Sequence, residues 1–326
     1  MKNMPNILVT GIGGNVGQGI IKNIRRTRPS SFIVGVNIEQ FTAINHMCNV
    51  VEKVPYATND EYKHVIKNLV ECHGIDLIFP GTEHEALALS AIESLSGKVV
   101  VSPTKTLELF FDKWNTARWA AKLQIPFADS CVASDLKKAN NWNELIAKPR
   151  CGRGSRGVVV NPNDLSGFTD DYLFQECLRG IEITSAFYIT ADKKLLGPIT
   201  FSRELENGYT SECEVTRDFD EQLVAIMESV LKGVDGQIIG PFNVQAIVTK
   251  EGAVVPFEFN CRYSGTNSIR SHFGFTDVDW AIEEHYFDLV PRCVGLSQGR
   301  AIRILSDVIY FDESVNKSIN SNYIVN

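Results

Sequence analysis

The chain has 326 residues, of which 44% are hydrophobic and 22% charged, as expected for a globular protein of two or three domains. Its formal net charge of −7 argues against general binding of nucleic acid, which favours basic surfaces. No segment approaches the ~18 consecutive apolar residues of a membrane span, and the start of the chain lacks a signal-peptide pattern.

The eight cysteines are dispersed and none forms a C-x-x-C pair. This spacing favours reduced thiols over a disulfide framework or a zinc site. We therefore expect a cytoplasmic protein that binds neither nucleic acid nor a membrane.

Residues 1–105 alternate between apolar strand patterns and helical spacing. The predicted strands are Asn6–Thr10, Phe32–Val36, Ile75–Phe79 and Lys98–Val101, and the predicted helices are Val16–Arg26, Tyr62–Cys72 and Glu85–Leu95. Such alternation predicts a parallel sheet with helices on its faces, and the low charge of the strands fits burial on both sides.

The rest of the chain has a mixed α+β pattern. One helix is predicted over Thr106–Leu123 and another over Phe219–Gly233, with strands at Ile146–Pro149 and Gly157–Val160 and a weak strand at Ala301–Leu305. From Leu173 onward, strands and hairpins dominate, which predicts an antiparallel sheet.

A hairpin with an unusual polar face is predicted around the turn Glu251-Gly252. If these two residues form the turn, Lys250 pairs with Ala253, Gln245 lies opposite Glu258, and Asn243 lies opposite Asn260. Because side chains alternate along a strand, Glu258, Asn260 and Arg262 share one face, while Phe257 and Phe259 point to a core. A three-residue turn would break this register.

The polar face of this hairpin offers oxygen ligands beside a guanidinium. Hard cations such as Mg²⁺ prefer carboxylate and carbonyl oxygens and complete their shell with substrate phosphates. The alternative is an ordinary solvated face of an antiparallel hairpin.

A basic, glycine-rich segment spans residues 148–157 and contains no acidic residue. Glycines let backbone N–H groups approach an anion, while Lys148 and Arg150 supply positive charge for phosphate. It is not a Walker A loop, since the G-x-x-x-x-G-K-[ST] pattern is absent. A solvated basic loop is the alternative.

A second glycine-rich segment, Gly11–Gly17, follows the first predicted strand. It departs from the dinucleotide fingerprint G-x-G-x-x-G because Val16 stands where the last glycine is required. An NAD(P)-linked oxidoreductase remains an alternative on this basis.

Taken in order, these segments resemble the ATP-grasp superfamily, and most closely its carbamoyl-phosphate-synthetase-like branch. The resemblance implies a Rossmann-like preliminary domain at 1–105 and a two-subdomain ATP-grasp fold at 106–290, with a lid subdomain at about 127–178. A C-terminal tail with a short strand would occupy 291–326. The family often has Asn-Pro-Arg where this chain has Asn260-Cys261-Arg262, which leaves both polar positions intact.

The resemblance also implies roles for single residues. ATP would be contacted by Lys113, Lys148, Arg150, Gly152, Gly154, Ser155, Gly157, Glu176, Leu178 and Glu182. One or two Mg²⁺ ions, or Mn²⁺, would be held by Gln245, Glu258 and Asn260. Lys148 and Arg262 would stabilise charge during catalysis, and Arg203 and Arg270 would contact the second substrate.

The implied activity is ATP-dependent ligation of a carboxylate to an amine or similar nucleophile through an acylphosphate, with release of ADP and phosphate. The implied partners are two small-molecule substrates and, by analogy with family members, a second copy of the chain in a homodimer. A non-catalytic nucleotide-binding module is the other alternative.

Overall fold

The computed structural model describes residues 3–152, 154 and 156–310, together with the backbone of 323–325. Within these ranges the strands form four sheets. No helix in the described part of the chain has the length and apolar character needed to cross a membrane.

The N-terminal sheet is parallel and has the order β3-β2-β1-β4. Its strands are β1 (Asn6–Val9), β2 (Phe32–Asn37), β3 (Val50–Lys53) and β4 (Leu77–Phe79), and its helices are α1 (Asn15–Thr27), α2 (Tyr62–Cys72) and α3 (Glu83–Ser90). The side chains of Ile7, Leu8 and Val9 are fully buried because helices cover both faces. The predicted parallel α/β arrangement is therefore confirmed.

Three details of this region differ from the sequence prediction. Strand β3 was not predicted, whereas Lys98–Val101 contributes only a single parallel bridge between Val99 and Ile78. The predicted helix Glu85–Leu95 is instead α3, followed by a separate 3₁₀ turn at Glu93–Leu95.

A small antiparallel sheet follows, with the order β5-β8-β6-β7. Its strands are β5 (Ser130–Val132), β6 (Leu145–Pro149), β7 (Val159–Val160) and β8 (Tyr172–Glu176). Cys131, Ala147 and Phe174 form its own small core. We refer to residues 130–176 as the lid sheet.

The central sheet has six strands in the order β13-β12-β9-β10-β11-β14. They are β9 (Ile181–Ile189), β10 (Leu195–Glu206), β11 (Tyr209–Thr216), β12 (Gly240–Val248), β13 (Val254–Asn260) and β14 (Arg300–Ile302). The remaining helices are α4 (Thr104–Phe111), α5 (Lys113–Lys122), α6 (Asp220–Gly233), α7 (Asn267–Arg270) and α8 (Asp277–His285), and β15 (Val308–Tyr310) pairs with β16 (Tyr323–Val325).

The two faces of the central sheet are covered differently. On one face, Ile183 and Val244 join a core with α4, α5 and α6. On the other face, Ala186 and Ile199 pack with α1 and α8 over part of each strand. The rest of that second face carries polar side chains and holds the candidate site.

The predicted helix Thr106–Leu123 is two helices, because the chain turns at Asp112 with φ −95° and ψ 110°. The carboxylate of Asp112 accepts hydrogen bonds from the backbone N–H groups of Trp114 and Asn115, which caps the start of α5. The break places Lys113 in the first turn of a new helix.

Candidate active site

The hairpin formed by β12 and β13 brings the predicted polar pairs together. Asn243 pairs with Asn260, and Gln245 pairs with Glu258. The predicted pairing at the site is therefore confirmed.

The turn of this hairpin was predicted incorrectly. Thr249 pairs with Ala253, so the loop has three residues, and Gly252 adopts φ 82°. A β-bulge at Phe257 adds one residue to β13, because Ala246 pairs with Pro256 while Gln245 pairs with Glu258. The bulge offsets the longer loop and restores the predicted register at the site.

Phe257 does not point to the core as predicted, and only Phe259 does, with 1% of its surface exposed. The carbonyl of Phe257 accepts hydrogen bonds from Lys148 Nζ at 3.2 Å and from Gln175 Nε2 at 3.4 Å. Lys148 Nζ also lies 5.5 Å from the centre of the Phe257 ring. The bulged residue is therefore part of the site.

Lys148 extends from β6 of the lid sheet and is 7% exposed. Its Nζ donates to Gln175 Oε1 at 2.8 Å as well as to the Phe257 carbonyl. Burial lowers the pKa of Lys148 to about 8, although the Glu258 carboxylate acts in the opposite direction. The lysine is thus a buried cation that a phosphate would stabilise.

Lys113 approaches the same carboxylate from α5. Its Nζ lies 3.9 Å from Glu258 Oε1 and donates to the carbonyl of Gly152 at 2.9 Å. Burial alone would raise the pKa of Glu258, but the charges of Lys113, Lys148 and Arg262 together lower it. Glu258 is therefore an ionised carboxylate near neutral pH.

Arg262 lies two residues beyond the end of β13. Its guanidinium pairs with Glu83 at 2.9 Å, and also donates to Asn260 Oδ1 at 3.1 Å and to the carbonyl of Tyr263 at 2.9 Å. Glu83 was not among the predicted site residues. The sequence shows an acidic residue in the first turn of α3. Its approach to Arg262, 179 residues away, depends on the tertiary fold.

The basic loop is held to the start of α5. Arg150 pairs with Asp112, with 3.1 Å between Nε and Oδ1, and the backbone N–H of Lys113 donates to the Arg150 carbonyl at 3.1 Å. Gly154 and Gly157 adopt φ 60° and 73°, so the loop uses the conformational freedom of glycine. The predicted ATP contact Ser155 lies outside the described residues.

The residues predicted for adenine and ribose lie along β8 and β9. Glu176 ends β8, and Leu178 follows in the connection to β9, where both side chains are half-buried. Glu182 pairs with Arg203, with 2.6 Å between Oε1 and Nη2. The same Nη2 group donates to Gln245 Oε1 at 2.7 Å. Arg203 therefore bridges the predicted ribose carboxylate and a predicted metal ligand.

Arg270 is not displayed on the polar face. It is 1% exposed, forms an ion pair with the fully buried Asp277, and donates to Ser264 Oγ at 2.7 Å. Arg270, the last residue of α7, is thus enclosed in the fold, and its contact with a substrate stays a prediction. A buried pair of this kind is sensitive to loss of either partner.

The oxygen donors on the polar face fit a hard cation. Glu258 offers an ionised carboxylate, and Asn260 and Gln245 offer amide oxygens beside it. The Asn243 side chain is 1% exposed, and its Nδ2 has no hydrogen-bond partner among the described residues. A buried donor without a partner is unfavourable, and an acceptor atom of a substrate or a water would satisfy it, whereas the cation itself would not.

Comparison with known proteins agrees with this geometry. Residues 110–266 match the model of an ATP-grasp domain. No curated protein matches the chain significantly.

Solved structures of low sequence identity share the fold. N5-carboxyaminoimidazole ribonucleotide synthetase from Thermotoga maritima is 16% identical, with a TM-score of 0.70 over 94% of this chain and 84% of that chain. The Aspergillus clavatus carboxyaminoimidazole ribonucleotide synthase complexed with ATP is 16% identical, with a TM-score of 0.69 over 95% and 82%.

The biotin carboxylase domain of the Hydrogenobacter thermophilus 2-oxoglutarate carboxylase, in complex with MgADP, ADP and bicarbonate, is 15% identical, with a TM-score of 0.70 over 95% and 75%. Residues 110–266 therefore match an ATP-grasp domain, and the chain shares the fold of these solved structures.

Proposed function

We propose that this protein is an ATP-dependent ligase that joins a carboxylate to an amine or similar nucleophile. The observation that carries the proposal is the convergence of three cations on one ionised carboxylate, Glu258. Lys113 comes from α5, Lys148 from the lid sheet and Arg262 from the end of β13. This arrangement suits a triphosphate with its bound cation.

In the proposed reaction, a carboxylate oxygen of the substrate attacks the γ-phosphorus of ATP, and the bond from that phosphorus to the bridging oxygen of ADP breaks. The amine then attacks the acyl carbon, inorganic phosphate leaves, and the nitrogen gives up a proton. Such transfers depend mainly on positioning and on neutralising charge.

Residues of the chain would supply this neutralisation. Lys148, fixed by Gln175 and the Phe257 carbonyl, would contact phosphate oxygens, and Arg262, oriented by Glu83, would face the transferred phosphoryl group. Glu258, Asn260 and Gln245 would hold one or two Mg²⁺ ions. Bound there, the ions would neutralise part of the negative charge on the phosphates. Gln245 would have to share its oxygen with Arg203 or release it.

The nucleotide would lie between the lid sheet and the central sheet. Glu176 and Leu178 would meet adenine through their backbone, Glu182 would accept from ribose hydroxyls, and the loop containing Arg150, Gly152, Gly154 and Gly157 would cover the phosphates. Closure of such a loop excludes water from a reactive intermediate.

All eight cysteines are free, which fits the reducing cytoplasm proposed for the reaction. A homodimer is part of the same proposal, supported by the dimer named for the Hydrogenobacter thermophilus domain. The NAD(P) alternative has less support, since Val16 stands where the dinucleotide fingerprint requires its last glycine, and since this alternative leaves the polar hairpin and the basic loop unexplained.

The proposal is tested by calorimetric titration of wild type and Glu258→Gln with ATP and with NADH, each with and without Mg²⁺. We expect Mg²⁺-dependent binding of ATP that the substitution weakens, and no binding of NADH. Binding of NADH without ATP would overturn the proposal. ATP binding without ADP release for any carboxylate and amine pair would favour the non-catalytic alternative.

Limited proteolysis tests the closing loop separately. Cleavage after Arg150 and Arg156 should slow when Mg·ATP is added, because a closed loop is less accessible to protease. Equal cleavage with and without Mg·ATP would contradict closure of this loop.

A further inference from the structure

The polar face of the central sheet continues beyond Arg203 to the edge strand β14. Arg203 pairs with Cys213 on β11, and Cys213 pairs with Ala301 on β14. The backbone N–H of Arg303 donates to the Ser211 carbonyl at 2.8 Å, so the pairing continues past Ala301. Because side chains alternate, Arg303 lies on the same face as Ala301, and therefore on the face of Arg203.

Arg303 differs from the other guanidinium groups on this side of the protein. Arg150, Arg203 and Arg262 are each paired with a carboxylate. Arg303 has no ion pair within the part of the chain that the structure describes, and its guanidinium makes one hydrogen bond, to the carbonyl of Gly265. An arginine with most of its donors unused favours a carboxylate or a phosphate.

The Arg303 side chain is exposed, so an anion can reach it from solvent. Burial raises the pKa of the Cys213 thiol, an effect that the charges of Arg303 and Arg203 reduce. Both arginines therefore act on the same small region of the sheet.

The contact with Gly265 ties Arg303 to the segment that follows Arg262. Gly265 follows Arg262 by three residues, which limits the separation of their Cα atoms to about 11 Å. Gly265 also packs against the start of α1, since a Cβ on it would lie 2.5 Å from Asn15 Nδ2. The Arg303 guanidinium is thus held to the segment that directly follows Arg262, the group proposed to face the transferred phosphoryl.

We propose that Arg303 binds an anionic group, a carboxylate or a phosphate, at the end of the second substrate remote from its reacting atom. This inference rests on the proposed ligase function and adds the substrate class, a small molecule with an anionic end. It also assigns a role to the residues that follow the ATP-grasp domain.

The test compares Arg303→Gln with Arg300→Gln. Arg300 is on the same strand, but it lies on the opposite face and pairs with Glu212, so it is a matched control. Each protein is first saturated with Mg²⁺ and a non-hydrolysable ATP analogue, which fills the phosphate end of the site. Inorganic phosphate and malonate are then titrated separately by calorimetry.

We expect one of the two anions to bind wild type and Arg300→Gln alike, and at least tenfold more weakly to Arg303→Gln. The anion affected identifies the group as phosphate or carboxylate. Equal binding to Arg303→Gln, or no binding of either anion to wild type, would overturn the inference. Failure of the ATP analogue to bind would instead contradict the proposed function, and anion binding would still be measurable without it.

Discussion

The chain contains two glycine-rich segments that look alike in sequence but differ in how closely their glycines are packed. In the segment Gly11–Gly17, a Cβ on Gly17 would lie 2.6 Å from a backbone oxygen of Gly11, so glycine is needed for close packing of α1 against the turn that follows β1. In the lid sheet, no described atom lies within 4 Å of the position that a Cβ on Gly154 would take, and φ is 60°. Here glycine provides backbone conformation, which the proposed phosphate-binding role would require.

The comparison shows why a glycine motif alone does not identify a nucleotide site. The distinction lies in what surrounds the glycines. The open loop is accompanied by Lys113, Lys148 and Glu258, whereas the packed turn is accompanied by apolar helix residues such as Ile20.

The largest expected effect concerns the site next to the open loop. Glu258→Gln should lower the rate of ADP release at least ~100-fold, about 2.7 kcal/mol of barrier, because it removes the one carboxylate among the predicted metal ligands. The rate is measured with excess Mg·ATP and a panel of carboxylates and amines. Glu251→Gln, at the exposed tip of the same hairpin, is the control. Near-normal turnover of Glu258→Gln would place the nucleotide site elsewhere.

Gly17→Ala should destabilise the fold by about 1–3 kcal/mol, since an added methyl group in a packed position forces the backbone to shift. The free energy of unfolding is measured by urea denaturation. Gly167→Ala, at a site with open space and no positive φ, should change it by less than about 0.5 kcal/mol. If Gly17→Ala were as stable as wild type, the packing role of this turn would be wrong.

Raising the pH should weaken nucleotide binding at the open loop. Lys148 has a pKa of about 8 in the free protein, so it is charged below that pH and loses its charge above it. The dissociation constant for Mg·ATP should therefore rise about tenfold between pH 7 and pH 9, since an uncharged amine no longer attracts phosphate. Lys148→Arg keeps its charge over this range, and its profile should be flat. A flat wild-type profile would show that Lys148 stays charged or does not meet phosphate.

The smallest effect is expected for Gly154→Ala. Holding alanine in the left-handed region costs about 1 kcal/mol, which corresponds to about a fivefold weaker affinity for Mg·ATP. Global stability should not change, because the loop is exposed and opens independently of the cores. Calorimetry and urea denaturation measure the two quantities. A stability loss as large as that of Gly17→Ala would remove the contrast between the two segments.

Much of the fold was predictable because its signals are local. Alternating apolar strands and amphipathic helices predicted the parallel sheet. The facing pairs of the polar hairpin were predicted from a two-residue turn, and they are correct only because the bulge at Phe257 offsets the three-residue loop. The break at Asp112 could also have been found, since an aspartate before a helical stretch is a common N-cap. The apolar spacing of Thr106–Leu123 concealed it, because both helices bury their apolar sides in the same core.

The parts that were missed depend on contacts between distant segments. Glu83 meets Arg262 only because α3 lies beside the end of β13. Arg270 was predicted to contact the second substrate, and its enclosure by Asp277 and Ser264 was not foreseen. Arg303 joins the polar face only because β14 pairs with β11. Neither composition nor spacing reports such pairings.

The bulge at Phe257 has a consequence for how the hairpin tolerates changes in length. Because Pro256 pairs with Ala246 and Glu258 pairs with Gln245, a chain lacking Phe257 could keep every other pairing and still display Glu258 on the polar face. Phe257 could therefore be lost without shifting the cross-strand pairs on either side of it. What it contributes is a carbonyl oxygen turned out of the ladder, which Lys148 and Gln175 use. A one-residue deletion in β13 would leave the carboxylate in place and remove an anchor of the buried lysine, whereas a deletion within the loop 250–252 would spare both.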